Sequence, residues 1–140
     1  MLTTKTKCVE IAYVDDSEDD QLLASVAVQE LSIPHELTIA ESAIELWSLL
    51  RSRVETGTAL PSVLVLDLKM PRVNGHQLLA QLALDPELAE IPVVILSTSA
   101  DIADQEAARE GGAVRYEVKP SSFHELVDVF ARIVELGRHR

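Results

Sequence analysis

The feature that most constrains the fold is a pair of short, uninterrupted apolar runs at residues 63–66 and 93–96. A strand with one wet face alternates apolar and polar side chains, so consecutive apolar residues predict strands that are covered on both faces. Segments with helical spacing of apolar residues separate these runs, and strand and helix alternate five times. The pattern therefore predicts an α/β protein made of βαβ units around a parallel sheet.

Turn and capping signals give the boundaries of the predicted elements. Strands are predicted at residues 8–14, 35–40, 62–67, 92–97 and 114–118, the last as an edge strand because it alternates. Helices are predicted after a Ser17 cap, from Ala43 to before Gly57, from Gly75 to near Asp85, over 102–110, and around 126–134. Trp47 and Cys8 are predicted to pack in the core.

Composition narrows the class of protein. The 140 residues suffice for one domain, which we expect over 1–140, and 47% of them are apolar. A net charge of −11 disfavours binding to nucleic acid or to an anionic membrane, since both need a basic surface. With one cysteine, no internal disulfide can form, and neither a spanning segment nor a signal peptide is seen, so we expect a cytoplasmic location.

Residues with reactive or ion-binding side chains lie at or just after the ends of four of the five predicted strands. They are Asp15 and Asp16, Asp67, Ser97 and Lys119. Right-handed crossovers bring the carboxyl ends of all parallel strands to one edge of the sheet, where ligands of such sheets bind. We therefore expect these side chains to converge, although they are far apart in the sequence.

Three converging carboxylates repel one another, and a divalent cation relieves that repulsion. An all-oxygen ligand set favours Mg²⁺, and no Cys/His set for zinc is present. Together with the ammonium of Lys119 and the hydroxyl of Ser97, such a site is equipped for a phosphoryl group. Asp67 is the best candidate nucleophile because it ends the central strand. Asp19 and Asp20 are interpreted as a solvated first turn of a helix.

With these residues in these positions, the sequence resembles the receiver domains of response regulators in two-component signalling, over essentially the whole chain. The matching motifs are Asp15-Asp16 after the first strand, Asp67 with Met-Pro and Gly75 behind it, Ser97 after Val-Val-Ile-Leu, and Tyr116-x-x-Lys119-Pro120. The spacing of 30 residues from Asp67 to Ser97 and 22 from Ser97 to Lys119 agrees as well.

The resemblance implies a flavodoxin-like, doubly wound (βα)5 fold with strand order 2-1-3-4-5. It implies that a sensor histidine kinase transfers a phosphoryl group to Asp67. Mg²⁺ is then held by Asp16, Asp67 and the main-chain carbonyl of Lys69, with Asp15 supporting the metal through water.

The resemblance further implies how the site responds. Lys119 pairs with the phosphoryl oxygens, Ser97 moves to hydrogen-bond the phosphate, and Tyr116 swings inward behind it. The Lys119–Pro120 peptide bond is expected to be cis. The domain is a signalling receiver rather than an ordinary enzyme, catalysing only its own phosphotransfer and a slow autodephosphorylation.

Some positions depart from the commonest family pattern. Ser97 stands where threonine is commoner, but the hydroxyl is retained. Lys69 occupies the variable position two residues after Asp67, which tunes the lifetime of the phosphate. The long loop 51–61, with Leu-Ser-Thr-Ser at 96–99, resembles stand-alone regulators that partner bacterial phytochromes.

Only 21 residues follow Lys119, which leaves room for a turn and one helix, so we expect no output domain. The output would then be a surface that a downstream protein reads. The fourth predicted helix, the last strand and the last helix are the expected reporting face, and the same face could form a homodimer.

Three alternatives stay open. A receiver that has lost phosphotransfer and acts by binding alone is disfavoured by the intact Asp16, Asp67, Ser97 and Lys119. An aspartate-nucleophile hydrolase of the haloacid-dehalogenase type requires a second aspartate where Lys69 stands. A flavodoxin requires a hydroxyl-rich phosphate loop after the first strand, where this chain has acids that would repel the phosphate of the flavin.

Overall fold

The computed structural model describes residues 8–138, in which ten elements alternate strictly between strand and helix. The strands are β1 (Val9–Val14), β2 (His35–Ala40), β3 (Val63–Leu66), β4 (Val93–Ser97) and β5 (Arg115–Val118). The helices are α1 (Glu18–Val28), α2 (Ala43–Thr56), α3 (Gly75–Leu84), α4 (Ile102–Glu110) and α5 (Phe123–Arg138). All predicted elements are present, and most boundaries agree within one or two residues.

The five strands form one parallel sheet in the order β2-β1-β3-β4-β5, which confirms the predicted topology. Every residue of β3 and β4 is buried, as their continuous apolar sequences predict. In contrast, no residue of β5 is fully buried, consistent with its place at an edge of the sheet.

Two hydrophobic cores lie on opposite faces of the sheet. On one face, Leu46 and Leu50 of α2 and Leu78 and Leu82 of α3 pack against the strands. On the other face, α1 and α5 pack around Phe130. This division is what a doubly wound sheet requires, because each face must be covered by helices.

The predictions that Trp47 and Cys8 pack in the core have different outcomes. Trp47 packs partly buried against the α2–α3 core, as predicted. The prediction for Cys8 is wrong, since its side chain is exposed. The reason is that β1 begins only at Val9, so Cys8 lies before the first residue that the sheet covers. Among the described residues, no helix is both long enough and apolar enough to cross a bilayer.

Local signals begin and end the helices where the sequence places them. Ser17, Ser42 and Asn74 accept hydrogen bonds from the first turns of α1, α2 and α3, respectively. At α3 the cap is reciprocal, because the Gln77 side chain also accepts from the Asn74 main-chain N–H. Gly57 ends α2 in the left-handed conformation, with φ of 72°.

Glu10 and Arg53 join α2 to the sheet at the end away from the carboxyl edge. The Arg53 guanidinium donates to both carboxylate oxygens of Glu10, at 2.6 and 2.7 Å, and the Thr38 hydroxyl donates to one of them. The hydrogen bond from Arg53 holds the pKa of Glu10 below its usual value although burial opposes this shift. The bidentate geometry makes this pair stronger than an ordinary surface ion pair.

We expect Arg53→Met to lower the free energy of unfolding by about 2 kcal/mol, because it leaves a largely buried carboxylate without its charged partner. Arg138→Met is the matched control, since Arg138 pairs with Glu135 at an exposed site and should cost about 0.5 kcal/mol or less. Urea denaturation near pH 7 measures both. Since the folded-state pKa of Glu10 is depressed, the difference should shrink as the pH falls through that pKa. Equal losses for the two variants would contradict the prediction.

Gly75 is the point where α3 packs most closely on the end of β3. A Cβ atom at this position would lie 2.5 Å from the main-chain oxygen of Asp67 and 2.9 Å from the Cα of Leu68. The Gly75 N–H also donates to the Leu68 carbonyl at 3.1 Å. Only a residue without a side chain lets the helix begin this close to Asp67.

We expect Gly75→Ala to destabilise the fold by about 3 kcal/mol, because the clash is with backbone that has no room to yield. Gly57→Ala is the control: its left-handed backbone is strained by a side chain at a cost of about 1 kcal/mol, but a Cβ there meets nothing within 4 Å. Thermal or urea unfolding measures both. A smaller loss for Gly75→Ala than for Gly57→Ala would contradict the packing argument.

Candidate functional site

The strand register brings the two key carboxylates side by side. Val14 of β1 pairs with Leu66 of β3, so Asp15 and Asp67 leave neighbouring strands at the same level. The Asp67 N–H donates to the Val14 carbonyl at 3.1 Å, which extends the ladder to the last residue before the site. Both carboxylates are therefore held by the sheet itself, and not by a flexible loop.

Asp15 is completely buried, and its oxygens are held by several donors. The Tyr13 hydroxyl donates at 2.5 Å, the Ser17 N–H at 2.9 Å and the Lys119 ammonium at 2.8 Å. Tyr13 is itself buried edge-on against Phe130, with ring centroids 6.0 Å apart. Burial and the hydrogen bond to Asp15 raise the pKa of Tyr13, so its hydroxyl stays a donor. A buried acid with this many donors is fixed in position.

The Lys119 ammonium lies at the centre of the site. It donates to Asp15 and Asp20 at 2.8 Å and to Asp67 at 3.1 Å. Burial lowers the pKa of Lys119, but the hydrogen bonds to Asp15 and Asp20 and the charge of Asp67 outweigh that effect and leave the pKa above its ordinary value. The side chain thus stays protonated and offsets part of the negative charge around it.

Asp67 is almost fully buried, with 6% of its surface exposed at the edge of the sheet. Burial raises the pKa of Asp67, the Lys119 charge and hydrogen bond lower it, and the Asp15 charge raises it again, so the net shift is upward. One carboxylate oxygen of Asp67 accepts from the Lys119 ammonium, and the other accepts from the Lys69 N–H at 3.2 Å. The carboxylate is thus incompletely compensated and would gain from a further positive charge.

Asp15, Asp16 and Asp67 each offer a carboxylate oxygen within 4.8 Å of the other two, so the predicted convergence is confirmed. Asp16 is exposed, and in the part of the chain that the structure describes it makes no hydrogen bond or ion pair. The donor set fits a hard divalent cation, because only oxygens face the gap and one carboxylate is free to bind. Asp15 is the least available of the three, as three donors already occupy it.

Ser97 and Tyr116 follow or lie on the neighbouring strands β4 and β5, and within residues 8–138 neither makes a hydrogen bond to Asp67. Ser97 ends β4 and is fully buried, and its hydroxyl accepts from the Ser99 N–H at 3.3 Å. Tyr116 lies on β5, and its hydroxyl donates to the Ser99 carbonyl at 2.8 Å. Both side chains are therefore attached to the loop between β4 and α4.

The expectation of a cis Lys119–Pro120 bond is wrong, because residues 8–138 contain no cis peptide bond. The trans form is favoured before proline by about 0.5–1 kcal/mol unless the surroundings select the other isomer. Here Lys119 reaches all three carboxylates with a trans bond, and its N–H donates to the Ser97 carbonyl at 2.7 Å.

Two residues of the site were missed or misread from the sequence. Asp20 was interpreted as solvated, but it is half-buried and bound to Lys119. Asp20 lies in the first turn of α1, three residues after the Ser17 cap, and that position gave no sequence signal for a contact with Lys119. Tyr13 lies two residues before Asp15, and the period of a strand puts the two on the same side.

Comparison with known proteins agrees with this geometry. The response regulator receiver domain family matches residues 11–131. A probable methanogenesis regulatory protein, FilR2 of Methanothrix harundinacea, is 31% identical over 93% of this chain and 85% of its own length. Response regulator Rcp1 of a Synechocystis species is 31% identical over 83% of this chain and 80% of its own length.

Solved structures show the same relation. The phosphorylated cyanobacterial phytochrome response regulator RcpA is similar with a TM-score of 0.81 and 30% identity, over 92% of this chain and 93% of that one. The Mn²⁺-bound form of Rcp1 gives a TM-score of 0.78 at 29% identity, over 89% and 91% of the two chains. With its strand order, its acid cluster and its matching sequence, the chain belongs to the response regulator receiver domain family of two-component signalling.

Proposed function

We propose that Asp67 is the phosphoacceptor of this receiver. The observation that supports it best is the position of its carboxylate, which lies at the sheet edge, 3.1 Å from the Lys119 ammonium and within 4.8 Å of carboxylate oxygens of Asp15 and Asp16. An oxygen of Asp67 attacks the phosphorus of a phosphohistidine, the P–N bond breaks, and the histidine ring leaves as imidazole after taking a proton. Lys119 offsets the negative charge that this step accumulates.

Mg²⁺ is the cation that we propose for the acid cluster. Asp16, Asp67 and the main-chain carbonyl of Lys69 would bind it directly, and Asp15 would act through water because its oxygens already accept three hydrogen bonds. The solved Rcp1 structure with Mn²⁺ supports a divalent ion in a similar receiver. When bound, the ion supplies positive charge to the phosphoryl oxygens.

The donor that we propose is a sensor histidine kinase of the phytochrome type. Support comes from the description of the similar RcpA as a phytochrome response regulator. The predicted loop 51–61 is wrong and adds no support, because α2 continues to Thr56. The same groups that hold the phosphoryl group would also let water remove it slowly, so that the signal decays without a partner. We place this domain in the cytoplasm, where such kinases present their phosphohistidine.

The surface that reports phosphorylation is proposed to be formed by α4, β5 and α5. Apolar side chains are exposed along it, including Ile102, Val114 and Phe123. A groove of about 310 Å³ separates α4 from β5 beside Tyr116. A downstream protein or a second copy of the chain would bind this face, while nucleic acid and membrane are disfavoured by the net charge of −11. A single receiver domain over residues 1–140 stays a prediction.

We expect incubation with acetyl phosphate and Mg²⁺ to add one phosphoryl group to the wild-type chain, and EDTA to prevent this. Asp67→Asn should abolish the modification, whereas Asp128→Asn, which removes an exposed carboxylate from α5, should leave it unchanged. Intact-protein mass spectrometry and peptide mapping measure the result. An unmodified wild-type chain, or equal modification of Asp67→Asn, would overturn the proposal.

The raised pKa of Asp67 gives a stability prediction for the metal-free protein. Since the folded state binds this proton more tightly than the unfolded chain, stability is lost as the pH rises through the raised pKa. In EDTA near neutral pH, Asp67→Asn should therefore have a higher Tm than wild type, and the difference should vanish in acid. Mg²⁺ at 100 times its Kd should then stabilise wild type by about 2.7 kcal/mol.

The same magnesium titration should stabilise Asp67→Asn much less than wild type, since a ligand oxygen with its charge is lost. Asp128→Asn should respond as wild type does. A lower Tm for Asp67→Asn in EDTA, or an equal response of all three proteins to Mg²⁺, would show that the carboxylate is not under-compensated as described.

A further inference from the structure

The loop between β4 and α4, residues 98–101, is held chiefly through Ser99, with a further bond from the Gln105 side chain to the Ala100 carbonyl at 3.2 Å. Ser99 is only 8% exposed. Its hydroxyl donates to Asp104 at 2.5 Å and accepts from the Asp101 N–H at 3.3 Å. Its N–H donates to the Ser97 hydroxyl and its carbonyl accepts from Tyr116. Every polar group of Ser99 is therefore engaged, and two of them bind the proposed switch residues.

Asp104 continues this network to another helix. While one of its carboxylate oxygens accepts from Ser99, the other lies 3.3 Å from the Nε2 atom of His76 on α3. The bonds to Ser99 and His76 keep the pKa of Asp104 below its usual value, and the Lys69 charge acts in the same direction. The carboxylate thus ties the β4–α4 loop to the first turns of both α3 and α4. We call Ser99, Asp104 and His76 the loop latch.

The loop latch matters because α4 is otherwise weakly attached. Ala108 is the only buried residue of α4. The side chain of Asp101, at the start of the helix, makes no capping hydrogen bond. An element with so few buried apolar contacts moves readily when its remaining polar contacts are released.

In the arrangement that the loop latch holds, Ser97 is bonded to the β4–α4 loop and not to Asp67. The Ser97 hydroxyl is engaged with the Ser99 N–H and makes no hydrogen bond to Asp67 within residues 8–138. A movement of Ser97 toward a phosphoryl group on Asp67 would stretch its bond to the Ser99 N–H and pull on the loop, and the other bonds of Ser99 resist that movement. Breaking these bonds is therefore part of the free energy that phosphorylation has to supply.

We infer that Asp104, supported by His76, is a positioning residue that holds Ser99 and the β4–α4 loop in the unphosphorylated arrangement, and that the strength of this hold sets how readily the site closes on a phosphoryl group. The inference rests on the proposed function of Asp67. In this proposal Asp104 and His76 act on the site through the β4–α4 loop, and not by direct contact with the phosphoacceptor Asp67.

The test measures the affinity for beryllofluoride, a mimic of the aspartyl-bound phosphoryl group, by calorimetry in excess Mg²⁺. We expect Asp104→Asn and Ser99→Ala each to bind about fivefold tighter, because a charge-assisted hydrogen bond no longer has to be broken. The double variant should gain no more than Ser99→Ala alone, since Asp104→Asn weakens and Ser99→Ala removes the same Ser99–Asp104 bond. A change that only damages the fold would weaken binding, so a gain is diagnostic.

Two matched controls separate the loop latch from general charge effects. Asp101→Asn removes a carboxylate from the same helix start but leaves the Asp101 N–H bonded to Ser99, and it should stay within about twofold of wild type. His76→Ala should tighten binding by about twofold, since its contact is long and partly exposed, whereas His124→Ala should have no effect. Equal affinities for Asp104→Asn and Asp101→Asn, or weaker binding by Asp104→Asn, would overturn the inference.

Amide hydrogen exchange of the unliganded protein distinguishes failure of the inference from failure of the proposed function. Asp104→Asn and Ser99→Ala should speed exchange in the loop and the first turn of α4, and leave β3 protected. Unchanged exchange would overturn the latch even if beryllofluoride binds. If the wild-type chain binds no beryllofluoride in Mg²⁺, the proposed function fails, and with it the regulatory role of the latch, whatever the exchange data show.

Discussion

The ammonium of Lys119 is the interaction on which the functional end of the molecule depends. It lies at hydrogen-bonding distance from Asp15, Asp20 and Asp67, and so holds three acids from two separate stretches of chain around one point. Without it, these partly buried carboxylates would repel one another. One cation does not compensate three acids together with the exposed Asp16, and that deficit is what makes the site suited to a metal ion and a phosphoryl group.

The sheet gives this cluster its rigidity. Asp15 and Asp67 follow strands that are paired up to the residue before each acid, and both faces of those strands are covered by helices. The close approach of Gly75 to the Asp67 main chain holds the turn between these two residues in place. Chemistry that depends on in-line attack benefits from a nucleophile with so little freedom.

The opposite property characterises the α4 side of the molecule. There the strand β5 is at the edge of the sheet, α4 buries a single alanine, and Ser99 holds the connecting loop by polar contacts. When a rigid phosphoacceptor site lies next to a loosely attached helix, a charge added at the site can move the helix and so change the protein surface. In our proposal, the strength of the loop latch determines how much free energy phosphorylation must supply to move this surface.

Sequence patterns alone were enough to predict the parallel α/β architecture, nearly every element boundary, and the convergence of Asp15, Asp16, Asp67 and Lys119 at one edge of the sheet. Continuous apolar strands, caps and the carboxyl-edge rule are local or topological signals that a single sequence carries. The tertiary structure alone decided the role of Asp20, the donor from Tyr13, the trans bond before Pro120 and the exposure of Cys8. It also decided the contact between His76 and Asp104, 28 residues apart, because side-chain contacts between helices depend on their packing and leave no periodic signal in the sequence.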